Sequence, residues 1–356
     1  MIKTIDSLAS FVDLEKEYSN ILRESMISGT PFYTSRWLKA WWSAFKDEYE
    51  FRVFCLYTGN SLKTAIPMMF GRSTFKKIKI KRGYFLGTYW NRLIDIPCHP
   101  NTAADWVDSF LDWLLDRKVC NWDLLTLGPF NSIYDNSKAL IEGLERKRMA
   151  YKIIQKPILY LPLTGTWETF LEQKSKNFRR TIKKKEKLAV EQGHLKYSHV
   201  LNPSFSTLQE TIFEVSKKSW QGRAEAAISS TKEGQSFYKF LLDGAGEFDI
   251  DLAVVYSDTK CVAYLLGLLH HKTYHAFETG FDLAYSEYSP GLLVHFFVLR
   301  ELFGKNLEEF NFGFGYDYKE RFEPMNYDSI RILVFRNPFI FALSNLLDWG
   351  KKVFKK

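Results

Sequence analysis

Three stretches of this sequence gather residues able to do chemistry. In Tyr288-Ser-Pro-Gly-Leu-Leu293, Ser289 is a candidate helix N-cap, Pro290 is preset for the first helical position, and Gly291 offers no side chain to obstruct a ligand. With Leu292 and Leu293 they would open a helix whose free N–H groups suit a phosphate or pyrophosphate. In Asn311-Phe-Gly-Phe-Gly-Tyr-Asp-Tyr-Lys-Glu-Arg-Phe322, the glycines at 313 and 315 leave a strand end open to close backbone approach. Tyr316, Asp317, Tyr318 and Lys319 then supply phenols, a carboxylate and a cation where α/β folds place their ligands. The third stretch, Lys174 to Lys187, holds eight cations, Arg179 among them, and one acid in 14 residues. Each stretch also has a plain reading: an ordinary Ser-Pro helix start, a strand-to-loop exit, and a solvated helix face.

The elements that must position these residues follow from periodicity. Leu8, Phe11, Val12, Leu14, Tyr18 and Leu22 predict a helix, and Trp37, Leu38, Trp41, Trp42 and Phe45 behind Thr34 or Ser35 predict a second. Phe51–Tyr57 and Leu62–Phe70 flank Thr58-Gly-Asn60 and read as a β-hairpin. Strands at Gly83–Leu86 and Arg92–Ile96, a helix over Ala103–Leu115, a strand Trp122–Leu127 ending at Gly128-Pro129 and a helix Lys138–Lys147 complete the first half. In the second half a strand over Tyr151–Leu163 precedes helices over Thr166–Leu171, Ser175–Gln192 closed by Gly193, Pro203–Trp220 and Gly234–Leu242. A hairpin of Asp251–Tyr256 with Val262–His270, a strand Thr273–Asp282, a helix Pro290–Phe303 and strands Glu308–Phe314 and Ile330–Phe335 follow.

The halves repeat one order: hairpin, third strand, helix, then a strand opening on an acid. Asp95 lies 28 positions before Asp123, and Asp282 lies 27 before Glu309. The expected fold class is α/β (α+β), with two tandem mixed β-sheets flanked by helices. The domains read as 1–150, 151–336 and a basic amphipathic C-terminal helix, 337–356.

Composition narrows the classes. The chain has 356 residues, 46% hydrophobic and 25% charged, with a net charge of +8, which suits about two globular domains. The charge admits nucleic acid, an anionic membrane or a phosphate-bearing small molecule. Cys55, Cys98, Cys120 and Cys261 have no paired ligand spacing, and no H-E-x-x-H appears, so no metal is expected. The absence of a Walker loop and a G-x-S-x-G elbow disfavours nucleotide-triphosphatase and hydrolase readings. The isolated cysteines and an N-terminus unlike a signal peptide point to the cytoplasm. The tail from Pro338 to Lys356 reads as a helix resting on anionic lipid at the inner face of the membrane, or equally as one docked on the protein.

Together, Phe32-Tyr-Thr-Ser-Arg-Trp37, Ser175-Lys-Asn-Phe-Arg-Arg180 ahead of Gly193, Trp220, Gly280-Phe-Asp282, Ser289-Pro-Gly291, Asn311-Phe-Gly-Phe-Gly315 and Tyr318-Lys319 resemble GNAT-type acyltransferases of the CelD-like and Fem-like branch, over roughly residues 30 to 325. The resemblance implies tandem acyltransferase folds and transfer of an acyl group from acyl-CoA, acetyl-CoA first. The acceptor would be an amine or hydroxyl of a sugar, polysaccharide precursor or cell-envelope metabolite. Ser289 to Leu293 would hold the pyrophosphate. Glu278 and Asp282, at i and i+4 on one strand, would share a face as candidate bases, although Asp282 equally suits a turn cap. Tyr318 would protonate the leaving thiolate, Lys319 and Arg179 would neutralise phosphate or oxyanion charge, and Trp220, Tyr316 and Asp317 would line the acceptor site. Fem-like relatives use aminoacyl-tRNA, which the basic run would also suit. A non-catalytic binding protein of the same fold is a further alternative. The first half, with Cys98-His-Pro-Asn-Thr102 in place of Ser-Pro-Gly, is expected to be a degenerate copy that shapes the acceptor cleft.

Overall fold

Runs of buried apolar side chains build the longest hairpin. Phe51, Val53 and Cys55 are buried on β2 (Tyr49–Thr58), which pairs antiparallel with β3 (Ser61–Phe75). These elements belong to a computed structural model that describes residues 1–25, 29–87, 94–98, 106–132, 135–188, 195–219, 229, 231–315 and 317–353. Two compact units divide the chain, Met1–Lys156 with Asp328–Lys356, and Pro157–Tyr327.

In the first unit, β1 (Ile2–Ile5) precedes α1 (Leu8–Asp13), α2 (Glu15–Glu24) and α3 (Ser35–Phe45). The Thr34 hydroxyl caps α3 by accepting from Trp37 N–H, and Trp37 and Trp41 fall on its buried stripe. Then come β2, β3, β4 (Ile78–Phe85), α4 (Val107–Leu115), β5 (Leu124–Asn131), α5 (Asn136–Arg146) and the start of β6 (Ala150–Pro162). The sheet order is β1-β2-β3-β4-β5-β12, where β12 (Met325–Phe335) lies antiparallel to β5 and only β4 and β5 run parallel. Ile340 of α13 (Pro338–Val353) joins a core with Ile80, Leu124, Leu333 and Phe335.

The second unit repeats the order. It carries α6 (Trp167–Gln173), α7 (Lys176–Glu186), β7 (Lys196–Leu201), α8 (Phe205–Leu208), a π-helical turn Gln209–Phe213, α9 (Glu214–Lys218) and α10 (Lys232–Asp243). Next are β8 (Asp249–Ser257), β9 (Lys260–His270), β10 (Thr273–Phe281), α11 (Pro290–Leu302), β11 (Glu309–Phe314) and α12 (Asp317–Glu320). Its sheet runs β7-β8-β9-β10-β11-β6, again with one parallel pair, β10 and β11. The fold is therefore mixed α/β with one topology built twice.

Several elements depart from the sequence expectation. β4 begins at Ile78 rather than Gly83, and Ile94–Ile96 form no strand although Arg92–Ile96 read as one. β5 runs through Gly128-Pro129 instead of ending there, because its pairing with β12 continues to Asn131. β1 and β7 carry too few buried residues to give a periodic signal, and a π turn interrupts the expected helix over 203–220. The stretch 328–336, assigned by contiguity to the second domain, packs with the first because it supplies β5's partner. The ends of the helices expected at Gln192 and Trp220 lie outside the described residues. Among those residues no helix is long and apolar enough to cross a membrane.

Candidate active site

Parallel pairing between β10 and β11 covers only Thr273 to His275 against Glu309 to Asn311. Beyond it β10 continues to Phe281 with no partner strand on that side among the described residues. A bulge between Ala276 and Glu278 shifts its register against β9, and a second lies between Asn311 and Gly313 of β11, where Gly313 has φ 72°. The two strands thus splay into a wedge. A cavity of about 230 Å³ lies there, lined among others by Thr279, Phe281, Ser289, Gly291, His295 and Tyr318.

The start of α11 faces this cavity. Ser289 holds the N-cap position with φ 54°, and its hydroxyl makes no capping bond, so the expected side-chain cap is absent. Its carbonyl accepts instead from Leu292 N and Leu293 N. Pro290 is the first helical residue, as read. A Cβ on Gly291 would come within 3.0 Å of the Phe281 ring, so the missing side chain lets β10 and α11 approach. Leu292 lines the cavity, whereas Leu293 is fully buried in the core.

His295, one turn further along α11, was not singled out from the sequence. It is 1% exposed and its ring lies against those of Phe310, Phe312, Tyr318 and Phe322. Its Nδ1 is 2.8 Å from Gly291 O, which can only accept, so Nδ1 carries the proton and Nε2 presents a lone pair. Burial pushes its pKa down to about 4, opposed by the Gly291 bond and assisted by Lys319. His295 is therefore neutral near pH 7. A lone histidine within an apolar helix, four positions after the glycine, was the only sequence signal.

Lys319 points inward. Its Nζ donates to Phe312 O at 2.6 Å and Phe314 O at 2.8 Å, satisfying the carbonyl end of β11. It does not line the cavity. The cation that does is Arg321, exposed and also facing a neighbouring cavity of about 320 Å³ at the start of α7, bounded by Ser175, Asn177, Thr181 and Leu292. Arg179 lies half-buried on α7 and lines neither cavity.

The two carboxylates are held separately. Glu278 accepts from Ser229 Oγ at 2.8 Å, from Tyr264 Oη at 2.7 Å and from Tyr238 Oη, turning toward β9 and α10 rather than toward the cavity. Burial and the Glu278 charge drive the Tyr264 phenol well above its ordinary pKa. Asp282 accepts from Lys260 Nζ at 2.8 Å and caps a 3-10 helix (Leu283–Tyr288) through Ala284 N. Burial raises its pKa, but the Lys260 and Ala284 bonds prevail and hold it below the usual carboxylate value. Trp220 and Tyr316 lie outside the described residues, as does the side chain of Asp317. Among the described residues no three His, Cys, Asp or Glu side chains converge as a metal site would require.

A splayed parallel pair with a helix start aimed into the gap, built on a mixed sheet, defines a GNAT-type acyltransferase fold. Residues 176–320, which include the wedge, match the family model described as an acetyltransferase (GNAT) domain. Solved structures share the fold across nearly the whole chain. FemX superposes with a TM-score of 0.59 at 9% identity, covering 96% of this chain and 99% of that one. The C-terminal domain of a putative lysylphosphatidylglycerol synthetase from Agrobacterium fabrum gives 0.58 at 11%, covering 94% and 95%. A tandem GNAT protein from the clavulanic acid biosynthesis pathway gives 0.53 at 8%, covering 94% and 98%. No curated protein sequence matches the chain. The resemblance read from the motifs thus holds at the level of domain and fold.

Proposed function

We propose that the chain transfers an acyl group from acyl-CoA, with acetyl-CoA the first candidate, to an amine or hydroxyl of a sugar, polysaccharide precursor or cell-envelope metabolite. The wedge cavity is the observation that supports this most. It is mostly apolar, open on one side, and bordered by Gly291, whose N–H lies at the positive end of the α11 dipole, and by Arg321, which suit a pyrophosphate.

The chemistry is attack of the acceptor nitrogen or oxygen on the thioester carbonyl, with loss of the acceptor's proton and cleavage of the C–S bond. Tyr318, which lines the cavity, is the donor for the departing thiolate. His295 Nε2 supplies a neutral acceptor that orients an N–H of the donor in an otherwise apolar space. Glu278 takes the acceptor's proton through one of the hydroxyls it already holds, Ser229 or Tyr238. Because Lys319 is committed to β11, Arg321 supplies the charge on the phosphate side. Asp282 acts as a turn cap.

The basic α7 beside the second cavity favours a second reading, an aminoacyl-tRNA donor. A thermal-shift series separates the two, since a ligand that binds only the folded form raises stability. Stabilisation by acetyl-CoA or a longer acyl-CoA supports the first reading. No response to any acyl-CoA, together with steeply salt-dependent tRNA binding, replaces it with the second. Binding without turnover of any acceptor leaves a non-catalytic binding protein.

A further inference from the structure

On one surface of the first unit an exposed apolar helix face adjoins lysines held in an unfavourable backbone conformation. We propose that α13 and the tip of the β3–β4 hairpin form a docking surface for an anionic phospholipid bilayer.

Two sides of α13 are apolar. Ile340 faces the core, and Ser344 is buried beside it. Phe339, Ala342, Leu343 and Leu346 fall within an arc of about 100° at 3.6 residues per turn, on the side turned away from that core. Phe339 is 67% exposed and Leu346 66%. A solvated helix face ordinarily carries charge at such positions, and here α13 carries none between Pro338 and Leu347.

Cations flank this face. Lys76 Nζ donates to Ser344 O at 3.0 Å, and Lys152 Nζ donates to Ser344 Oγ at 2.8 Å, which sets the hairpin tip and β6 against the middle of the helix. Lys77 is exposed beside Lys76, and the helix sequence runs on to Lys351 and Lys352. An exposed apolar helix face adjoining a lysine-bearing hairpin tip matches the acyl boundary and headgroups of an anionic bilayer. A polyanion such as RNA would use the lysines but leave Phe339 and Leu346 in water.

The hairpin tip adds an independent argument. β3 and β4 are joined by two residues, Lys76 at φ 48° and Lys77 at φ 71°. Both central positions of such a turn favour Asn-Gly, since left-handed backbone is costly for a residue with a long side chain. The tip keeps two lysines despite that strain, as a charge requirement would explain.

The test is sedimentation of the full chain with vesicles of phosphatidylcholine alone and of phosphatidylcholine mixed with phosphatidylglycerol. Binding is expected to the mixed vesicles only, weakening with salt. In K76N/K77G the affinity should fall by about fivefold for each charge removed, while Tm stays level or rises as the turn relaxes. In F339S/L346S it should fall about tenfold with Tm unchanged, because both side chains are exposed. Equal binding to both vesicle types, no binding to either, or wild-type binding by F339S/L346S would overturn the proposal. The last outcome, joined to salt-sensitive RNA binding, would assign the lysines to a nucleic acid.

Discussion

The two units place the same strands in the same order, and they differ most where the parallel pair ends. In each the parallel pair covers three positions, and in the second the strands beyond it leave a cavity. In the first, the chain that follows β4 closes the corresponding place: Ile94 N donates to Pro129 O at 2.9 Å, and Cys98 bridges to Thr64. Each gap contains a buried titratable group, and the two are of opposite kind. Asp95, 1% exposed, accepts at Oδ1 from Ile96 N and Asn136 Nδ2, and its Oδ2 has no hydrogen-bond partner among the described residues. Burial raises its pKa to about 7 against those two bonds. His295 occupies the open gap and is pushed down to about 4. One topology thus leaves at the end of its parallel pair either a place occupied by residues 94–98 or an open wedge.

The largest effect that tests this contrast is in pH dependence. Asp95, with its pKa raised above the 3.8 of the unfolded chain, gives stability that is fully present below about pH 4 and is lost as pH rises through about 7. His295, depressed below 6.5, gives stability that is present above about pH 6.5 and is lost as pH falls through about 4. Each amounts to on the order of 3–4 kcal/mol. Hydrogen exchange read peptide by peptide between pH 4 and 7 should therefore show opposite slopes in the two units. Asp95→Asn should flatten the first and His295→Gln the second. Parallel slopes would break the contrast.

Next in size is Gly291→Trp. The indole has no room beside Phe281, and acyl-CoA affinity should drop about a hundredfold or more, since the cavity is filled and α11 displaced. Calorimetry showing an unchanged affinity would remove the donor site from the wedge. Tyr318→Phe should slow transfer by about a hundredfold with little change in donor KM, the signature of a proton donor to the leaving group. A wild-type rate would leave Tyr318 as a wall only. The smallest effect is expected for Asp282→Asn: loss of an ion pair and a weakened cap cost about 1 kcal/mol, seen as a drop of a few degrees in Tm with turnover nearly unchanged. A large fall in rate would restore Asp282 as a base.

What could be read from the sequence was local. The two hairpins, the Pro290 helix start and the Thr34 cap each have their signal within a few residues, and each is found in place. Residues whose roles depend on distant partners were misjudged. Lys319 reads as a cation for phosphate or oxyanion charge because the carbonyls of Phe312 and Phe314 become its partners only when the chain doubles back. His295 sits among apolar helix residues with no motif to mark it, and only the folded chain shows that Arg321, not Lys319, lines the cavity. Ser289 fitted a capping pattern by residue type, but its left-handed backbone takes the hydroxyl away from the helix. The bulge at Phe277 and the end of the β10–β11 pairing, which together open the wedge, leave no mark in composition at all.

The discontinuous first unit also bears on how the chain folds during synthesis. Pro157–Tyr327 is contiguous and can close its sheet as soon as β11 has emerged. The first unit, made earlier, keeps the edge of β5 open until Phe335 has left the ribosome. Such an edge invites pairing with other chains, so the protein's oldest residues are the ones most in need of a chaperone.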